Sequence, residues 1–219
     1  MLAAAETVNV AQDPLTLVLI TILISATFTD NILLTRFLGM CPFLSVSRQM
    51  KSAVGMGFAV IFVTTGTVAI NSLLYIYVLK PLSAEPYSLP ADSMKLIIFI
   101  IVIAAFVQLM EMLIERISLT LYFSLGIFLP LITVNCAILG ASLFMVNYVE
   151  NNQYGFLEST TYGFGAGLGW FVAIVLMAGI RQKLKKAKVP EGLEGAGIAL
   201  IIAGIMAMAF IGLSGLIKL

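Results

Sequence analysis

Long apolar stretches alternate with short polar connections along the whole chain. A helix that crosses the hydrocarbon core of a bilayer needs about 20 apolar residues, and about six segments meet that requirement. They cover residues 15–47, 52–79, 95–115, 119–146, 156–180 and 196–217. The pattern predicts an all-α polytopic membrane protein with six transmembrane helices. Because little of the chain lies outside these segments, we expect one membrane domain over residues 1–219.

The first and fourth segments are longer than one crossing requires, and both contain residues that interrupt helices. These residues are Asp30, Asn31, Gly39 and Pro42 in the first segment, and Gly126, Pro130, Asn135 and Gly140 in the fourth. We therefore predict that both helices are interrupted, the alternative being two ordinary helices with kinks. Irregular backbone at membrane depth must be covered by protein. Cys41 and Cys136 are accordingly expected to be buried near the membrane middle, on segments that face each other.

The two halves of the chain contain similar features in the same order. Residues 41–47 (CPFLSVS) resemble 136–142 (CAILGAS), and residues 55–59 (GMGFA) resemble 163–167 (GFGAG). If each half crosses the membrane three times, the halves have opposite orientations, which is the inverted-repeat architecture of many transport proteins. We predict an external tail over residues 1–14, a first repeat over 15–115 and an inverted second repeat over 116–219.

The distribution of basic residues predicts the orientation in the membrane. Positive charge concentrates in cytoplasmic loops, and the strongest cluster is Arg181, Lys183, Lys185, Lys186 and Lys188. Arg48, Lys51 and Arg116 fall on the same side, whereas Lys80, Lys95, Glu150 and Glu158 fall on the other. We expect a multi-pass membrane protein with both termini on the side opposite the cytoplasm.

Composition narrows the chemistry that the chain can perform. Hydrophobic residues make up 61% of the chain, charged residues 11%, and the net charge is +1, so no basic surface for nucleic acid exists. The chain has no histidine, which excludes histidine-ligated haem, histidine zinc sites and Ser-His-Asp triads. Cys41 and Cys136 remain as its only strong ligands for soft metals.

Two cysteines are too few for a complete iron–sulfur cluster. Without histidine such a cluster needs four thiolates, so a second protein chain would have to supply the other two. The residue types leave two alternatives open. The cysteines could form a disulfide, or they could serve as small apolar side chains in ordinary packing.

Four segments carry a resemblance to a known family. They are Phe37–Cys41 (FLGMC), Gly126–Ile138 (GIFLPLITVNCAI), Tyr162–Gly165 (YGFG) and Ala178–Arg181 (AGIR). From about Asn31 to the C-terminus, the chain resembles the E subunits of the sodium-translocating NADH:quinone reductases. It is similar over the same range to the A subunits of the Rnf ferredoxin:NAD oxidoreductase complexes. Pro42 is more like the Rnf proteins, whereas Val134-Asn135-Cys136 is more like the quinone reductase proteins.

The resemblance implies a translocase subunit of the bacterial inner membrane, with no catalytic residues of its own. In that membrane the predicted orientation makes both termini periplasmic. Such a protein pairs with a homologous D subunit, and each contributes two cysteines, here Cys41 and Cys136, to the irons of a shared 2Fe-2S cluster. The family's electrons pass from NADH through a peripheral FAD-bearing subunit, across the membrane cluster to FMN-bearing subunits and then to ubiquinone. Na⁺ is exported in the same cycle.

Polar side chains within the segments are candidates for a cation path. Glu111 shares one helical face with Gln108 and Glu115. Asp30 is a second candidate, although it could instead pair with Arg36 or face a partner protein. In the alternative interpretation, Glu111 pairs with a neighbouring helix and Glu115 anchors the helix end at the membrane interface.

Glycines 163, 165, 167 and 169 form overlapping G-x-x-x-G pairs, which predict close helix packing. Two other functions remain as alternatives to an electron-transfer subunit. One is a secondary transporter that binds a solute at its broken helices. The other is an assembly scaffold in which the cysteines have a structural role.

Overall fold

The chain was studied as a computed structural model, which describes residues 15–83, 91–117, 129–151, 154–184 and 195–212. The predicted external tail over 1–14 and residues 118–128, where the predicted fourth segment begins, lie outside this description. Two further ranges also lie outside it, residues 213–219 and residues 185–194, which include Lys185, Lys186 and Lys188 of the basic cluster.

Helices account for the regular structure of the described residues. They are α1 (Leu15–Ile24, continued by a π-helical turn over Ser25–Thr29), α2 (Met40–Val46), α3 (Met50–Leu74, continued by a π-helical turn over Tyr75–Leu79), α4 (Lys80–Ser83), α5 (Ala91–Ile117), α6 (Leu129–Thr133), α7 (Cys136–Glu150), α8 (Phe156–Leu184) and α9 (Ala196–Ile211). Within the described ranges, four apolar helical stretches are long enough to cross a membrane, namely Met50–Leu79, Met94–Met112, Leu131–Glu150 and Phe156–Leu184. The shorter stretches Leu15–Thr29 and Ala196–Ile211 are also apolar. An all-α polytopic membrane protein is therefore confirmed, and the count of six crossings stays a prediction.

Both predicted interruptions are breaks in the helix and not kinks. The first covers residues 30–39, between the end of α1 and the start of α2, and the second covers Val134 and Asn135, between α6 and α7. Asn135 has extended backbone angles and its side chain accepts a hydrogen bond from the Ala137 amide, which fixes the start of α7. Gly39 starts α2 in the left-handed region, with φ of 80°.

Helix α8 is the centre of the fold. It packs along α3 and α1 and also contacts α7 and α9. On one face of α8, a Cβ on Gly163 would lie 2.8 Å from the Val68 Cβ, and a Cβ on Gly167 would lie 2.8 Å from the Ile61 Cα. Atoms essentially never approach so closely, so α3 rests against bare backbone here.

The other two glycines of this set, Gly165 and Gly169, hold α8 against the first interrupted helix. The Thr27 hydroxyl donates to the Gly165 carbonyl at 3.3 Å, and the Asn31 amide donates to the Gly169 carbonyl at 2.8 Å. Thus the two G-x-x-x-G pairs use different faces of α8, one for α3 and one for α1. The predicted close packing at these glycines is confirmed.

Charged and polar contacts mark the two ends of the helix bundle. At one end Lys95 forms an ion pair with Glu150, which also accepts a hydrogen bond from the Tyr75 hydroxyl at 2.7 Å. At the other end Arg181 donates to the Leu44 carbonyl and the Ser47 hydroxyl, each at 2.8 Å. The placement of Lys95 with Glu150 agrees with the predicted charge distribution, and the side that faces the cytoplasm stays a prediction.

The glycine contacts predict the effect of a single added methyl group. Gly167→Ala should destabilise the protein by about 1–3 kcal/mol, because the new Cβ meets the α3 backbone and overpacks the contact. Gly179→Ala on the same helix is the matched control, since its Cβ would meet only Met50 Cε at 3.8 Å. Thermal unfolding in detergent measures both. Equal unfolding midpoints for the two variants would contradict the packing described here.

Candidate functional site

Both cysteines occupy the first turn of a helix that follows an interruption. Cys136 is the first residue of α7, and Cys41 is the second residue of α2. Backbone N–H groups at a helix start have no partner within the helix and carry a partial positive charge, which favours anionic groups nearby. The interruptions therefore place both cysteines at helix starts.

A hydrogen bond joins the two interruptions directly. The backbone amide of Gly39 donates to the Cys136 sulfur, with an N–S distance of 3.0 Å. Gly39 lies two residues before Cys41 along the chain. The prediction that the cysteines lie on facing interrupted segments is confirmed by this contact.

The prediction that the cysteines are buried is wrong for the chain by itself. Cys41 and Cys136 are both exposed, and both are free thiols. The interruptions are covered on their inner side, where Gly39 and Asn135 are buried, and each sulfur lies on the outer side of its segment. Burial of the breaks thus does not require burial of the cysteines. The disulfide considered from the sequence is not formed.

Exposed apolar side chains adjoin both cysteines. Phe37 is 51% exposed and Val134 is 77% exposed. Phe37 has φ of 55°, which is uncommon for a bulky residue and strained. We call the Phe37 and Val134 side chains, together with the exposed Cys41 and Cys136, the cysteine face. Exposed apolar side chains close to two thiols along the chain suit contact with another apolar surface.

Buried hydrogen-bond donors lie behind the cysteine face. A Cβ on Gly39 would be 2.6 Å from the Trp170 indole nitrogen and 3.0 Å from the Asn135 side-chain oxygen. Trp170 is 0% exposed and Asn135 is 3% exposed. Neither the Trp170 Nε1 nor the Asn135 Nδ2 has an acceptor among the described residues. A buried donor without a partner costs about 1–3 kcal/mol, so these groups fit a site that receives further acceptors.

The donor set fits half of an iron–sulfur cluster. Two exposed thiols are adjacent to helix starts, one sulfur already accepts an amide hydrogen bond, and unpaired donors lie behind them. Within the described part of the chain, no group of three or more histidine, cysteine, aspartate or glutamate side chains could hold a metal ion. The sequence has two cysteines and no histidine, so a cluster with four thiolate ligands at this site would take two of them from another chain.

The acidic candidates for a cation path lie in different surroundings. Asp30 is in the first interruption, where Arg36 pairs with it at 3.1 Å and the Thr35 hydroxyl donates to it at 3.4 Å. The Arg36 guanidinium also lies 4.5 Å from the centre of the Phe144 ring. Glu111 is half-buried on α5. Of the alternatives for Asp30, the structure shows the pairing with Arg36, and a role for either acid in cation passage stays a prediction.

Three tyrosines without a sequence-level signal pack together near the α7–α8 connection. The Tyr148 ring centre lies 4.6 Å from that of Tyr154 and 5.6 Å from that of Tyr162. Burial raises the pKa of Tyr154 above its ordinary value. The three residues are separated along the chain without a helical or strand period, so no pattern of residue types predicted the cluster.

The contribution of Gly39 and Trp170 was also missed from the sequence. The single available signal was a glycine two residues before Cys41. Trp170, the only tryptophan in the sequence, gave none, because its distance along the chain from both cysteines does not reveal its proximity to Gly39.

Comparison with known proteins adds independent information. Residues 19–217 match the family described as "Rnf-Nqr subunit, membrane protein". A protein of Maridesulfovibrio salexigens, named as the E subunit of a Na(+)-translocating NADH-quinone reductase, is 50% identical over 202 residues, which cover 90% of this chain and 98% of that protein. The protein of the same name from Aeromonas hydrophila is 51% identical over 197 residues, covering 90% of this chain and 97% of the relative.

A third relative of that name, from Marinobacter nauticus, is 48% identical over 200 residues, covering 90% of this chain and 97% of the relative. The similarity thus includes both interruptions and the helices that surround them. With a family match over almost its whole length, the chain belongs to the Rnf-Nqr family of membrane protein subunits.

Proposed function

We propose that this chain is the E subunit of an Na⁺-translocating NADH:quinone oxidoreductase of the bacterial inner membrane, and that Cys41 and Cys136 provide half of the ligands of an intramembrane 2Fe-2S cluster. The observation that carries the proposal is the pair of exposed thiols on two interrupted helices that the Gly39 amide joins. The names of relatives about 50% identical to it support the choice of complex.

A homologous partner protein completes the site. A 2Fe-2S cluster takes four protein ligands, and this chain offers two cysteines. The D subunit, with an equivalent pair of cysteines, would dock on the cysteine face, where the exposed Phe37 and Val134 provide apolar contact. The thiols that are exposed on this chain would then be enclosed at the interface between the two proteins.

The residues of this chain perform three tasks at the site. Cys41 and Cys136 would supply two sulfur ligands. Gly39 donates its amide hydrogen to Cys136 and so fixes the orientation of that sulfur. Phe37 and Val134 exclude water from the sulfurs. When bound, the cluster takes up and releases one electron at a time, and it connects the NADH- and FAD-bearing peripheral subunit with the FMN-bearing subunits and ubiquinone.

The alternative complex within the same family is the Rnf ferredoxin:NAD⁺ oxidoreductase, where this chain would be the A subunit. The three relatives described above are all named as quinone reductase subunits, which favours the first complex. A secondary transporter would need a solute site at the interruptions. The side chains at the cysteine face are thiols and apolar groups, which suit soft-metal ligation better than recognition of a polar solute.

The proposal also assigns an acidic residue to the path of Na⁺ through the membrane. The half-buried Glu111 on α5 is the better candidate of the two acids. Asp30 is already neutralised by Arg36, so its carboxylate is less available to a cation. In this proposal Glu111 contributes to the path by which Na⁺ leaves the cytoplasm.

Substitution of the cysteines tests the cluster. In the purified complex with all subunits, Cys41→Ser and Cys136→Ser should each remove most of the iron of this site, abolish its EPR signal after reduction, and lower electron transfer from NADH to quinone by more than tenfold. Iron analysis and EPR measure the first two effects. Ala209→Ser is the matched control, because it adds a hydroxyl at an exposed position of α9, and it should change none of these quantities.

Two results would contradict this proposal. One is a wild-type complex with stoichiometric subunits and no iron in the membrane part. The other is a pair of serine variants that keep both iron and electron transfer, as a structural scaffold would.

Neutralising the glutamate tests the cation path. Glu111→Gln should raise the Na⁺ concentration for half-maximal quinone reduction several-fold, because the path loses a carboxylate, while the iron content stays unchanged. Glu115→Gln, at an exposed position of the same helix, is the control and should leave the Na⁺ dependence as in the wild type. Identical Na⁺ dependence in both variants would exclude Glu111 from the path.

A further inference from the structure

The backbone amide of Gly39, in the first interruption, donates a hydrogen bond to the sulfur of Cys136, which directly follows the second interruption. We propose that this amide sets the reduction potential of the iron cluster by stabilising the added negative charge on the Cys136 sulfur, and that Trp170 is a positioning residue that holds the amide in place. This inference rests on the function proposed above and adds a role for two residues that do not ligate metal.

Two features fix the Gly39 amide in its position. The first is the backbone, because φ of 80° is a left-handed conformation that residues with a side chain rarely adopt. The second is the wall behind it. A Cβ on Gly39 would lie 2.6 Å from the Trp170 Nε1, 2.9 Å from the Ala137 Cβ and 3.0 Å from the Asn135 Oδ1.

The wall is buried and has little room to move. The Trp170 side chain is 0% exposed, and Asn135 is held by the hydrogen bond that it accepts from the Ala137 amide at 3.1 Å. A side chain at position 39 would therefore displace the backbone of residue 39 and not the wall. Because that backbone carries the donor, displacement would lengthen or break the hydrogen bond to the Cys136 sulfur.

The two cysteines differ in the hydrogen bonds that their sulfurs accept. The Cys136 sulfur accepts the Gly39 amide, whereas no hydrogen bond to the Cys41 sulfur is found among the described residues. The amide therefore acts on one of the two ligands that this chain supplies. The iron bound by Cys136 would be the one whose reduction the amide favours.

The direction of the effect follows from charge. Reduction adds one electron to the cluster, and part of its charge resides on the ligand sulfurs. A hydrogen-bond donor stabilises that charge and raises the reduction potential, and hydrogen bonds to sulfur are among the established determinants of cluster potential. Loss of the Gly39 donor should consequently lower the potential.

Redox titration of the complete complex, followed by EPR of the reduced cluster, tests the inference. Gly39→Ala should lower the equilibrium constant for one-electron reduction about tenfold, which corresponds to about 59 mV. Trp170→Phe keeps an aromatic ring but removes the indole nitrogen, which is the wall atom nearest to Gly39. It should lower the reduction potential by less than Gly39→Ala does. Both variants should retain iron, because neither residue is a ligand.

Gly204→Ala is the matched control. It makes the same substitution on α9, where an added Cβ would meet nothing within 4 Å, and it should leave the potential at the wild-type value. The inference is overturned if Gly39→Ala retains iron and has the wild-type potential. If the Gly39→Ala complex assembles without iron, the reduction potential of the Trp170→Phe complex is the test instead. A wild-type potential in that variant then overturns the inference. Absence of iron from the wild-type complex would instead contradict the proposed function.

Discussion

The constraint that shapes this protein is the need to satisfy backbone groups at two helix interruptions in apolar surroundings. Each free N–H or C=O at membrane depth costs several kcal/mol. Asn31 meets this need in the first interruption, where its side-chain oxygen accepts from the amides of Leu33 and Leu34 and its nitrogen donates to the Gly169 carbonyl. Asn135 does the same at the second by capping α7. Side-chain amides thus satisfy backbone groups at both breaks, and at the first break the Gly169 carbonyl of α8 takes part as well.

The chemistry of the site is a consequence of that arrangement. An interruption ends one helix and starts another, and a helix start has amide donors with no partner within the helix. Cys41 and Cys136 lie at those starts, and the contact between the interruptions gives Cys136 a donor from Gly39. Because the polar caps occupy the inner side, the sulfurs lie on the outer surface. The same scaffold that covers the backbone therefore leaves both thiols exposed on the surface of the chain.

Several features were predictable from the sequence because they depend on residue type and local spacing. Glycine, proline and asparagine within apolar segments predicted both interruptions, and glycines two residues apart predicted the close packing of α8. Exposure of the cysteines was not predictable, since it depends on which side of a short segment faces the rest of the chain. The wall formed by Trp170 behind Gly39 also depends on contacts between residues far apart in sequence, and no local pattern reports those.

The most direct test of the central claim compares the reactivity of the two thiols in the complete complex with and without iron. A membrane-permeant maleimide should leave Cys41 and Cys136 unlabelled while iron is bound, and should label both after iron is removed by chelation, as determined by mass spectrometry of their peptides. Equal labelling of both cysteines before and after removal of iron would contradict the claim that this chain supplies half of a shared metal site.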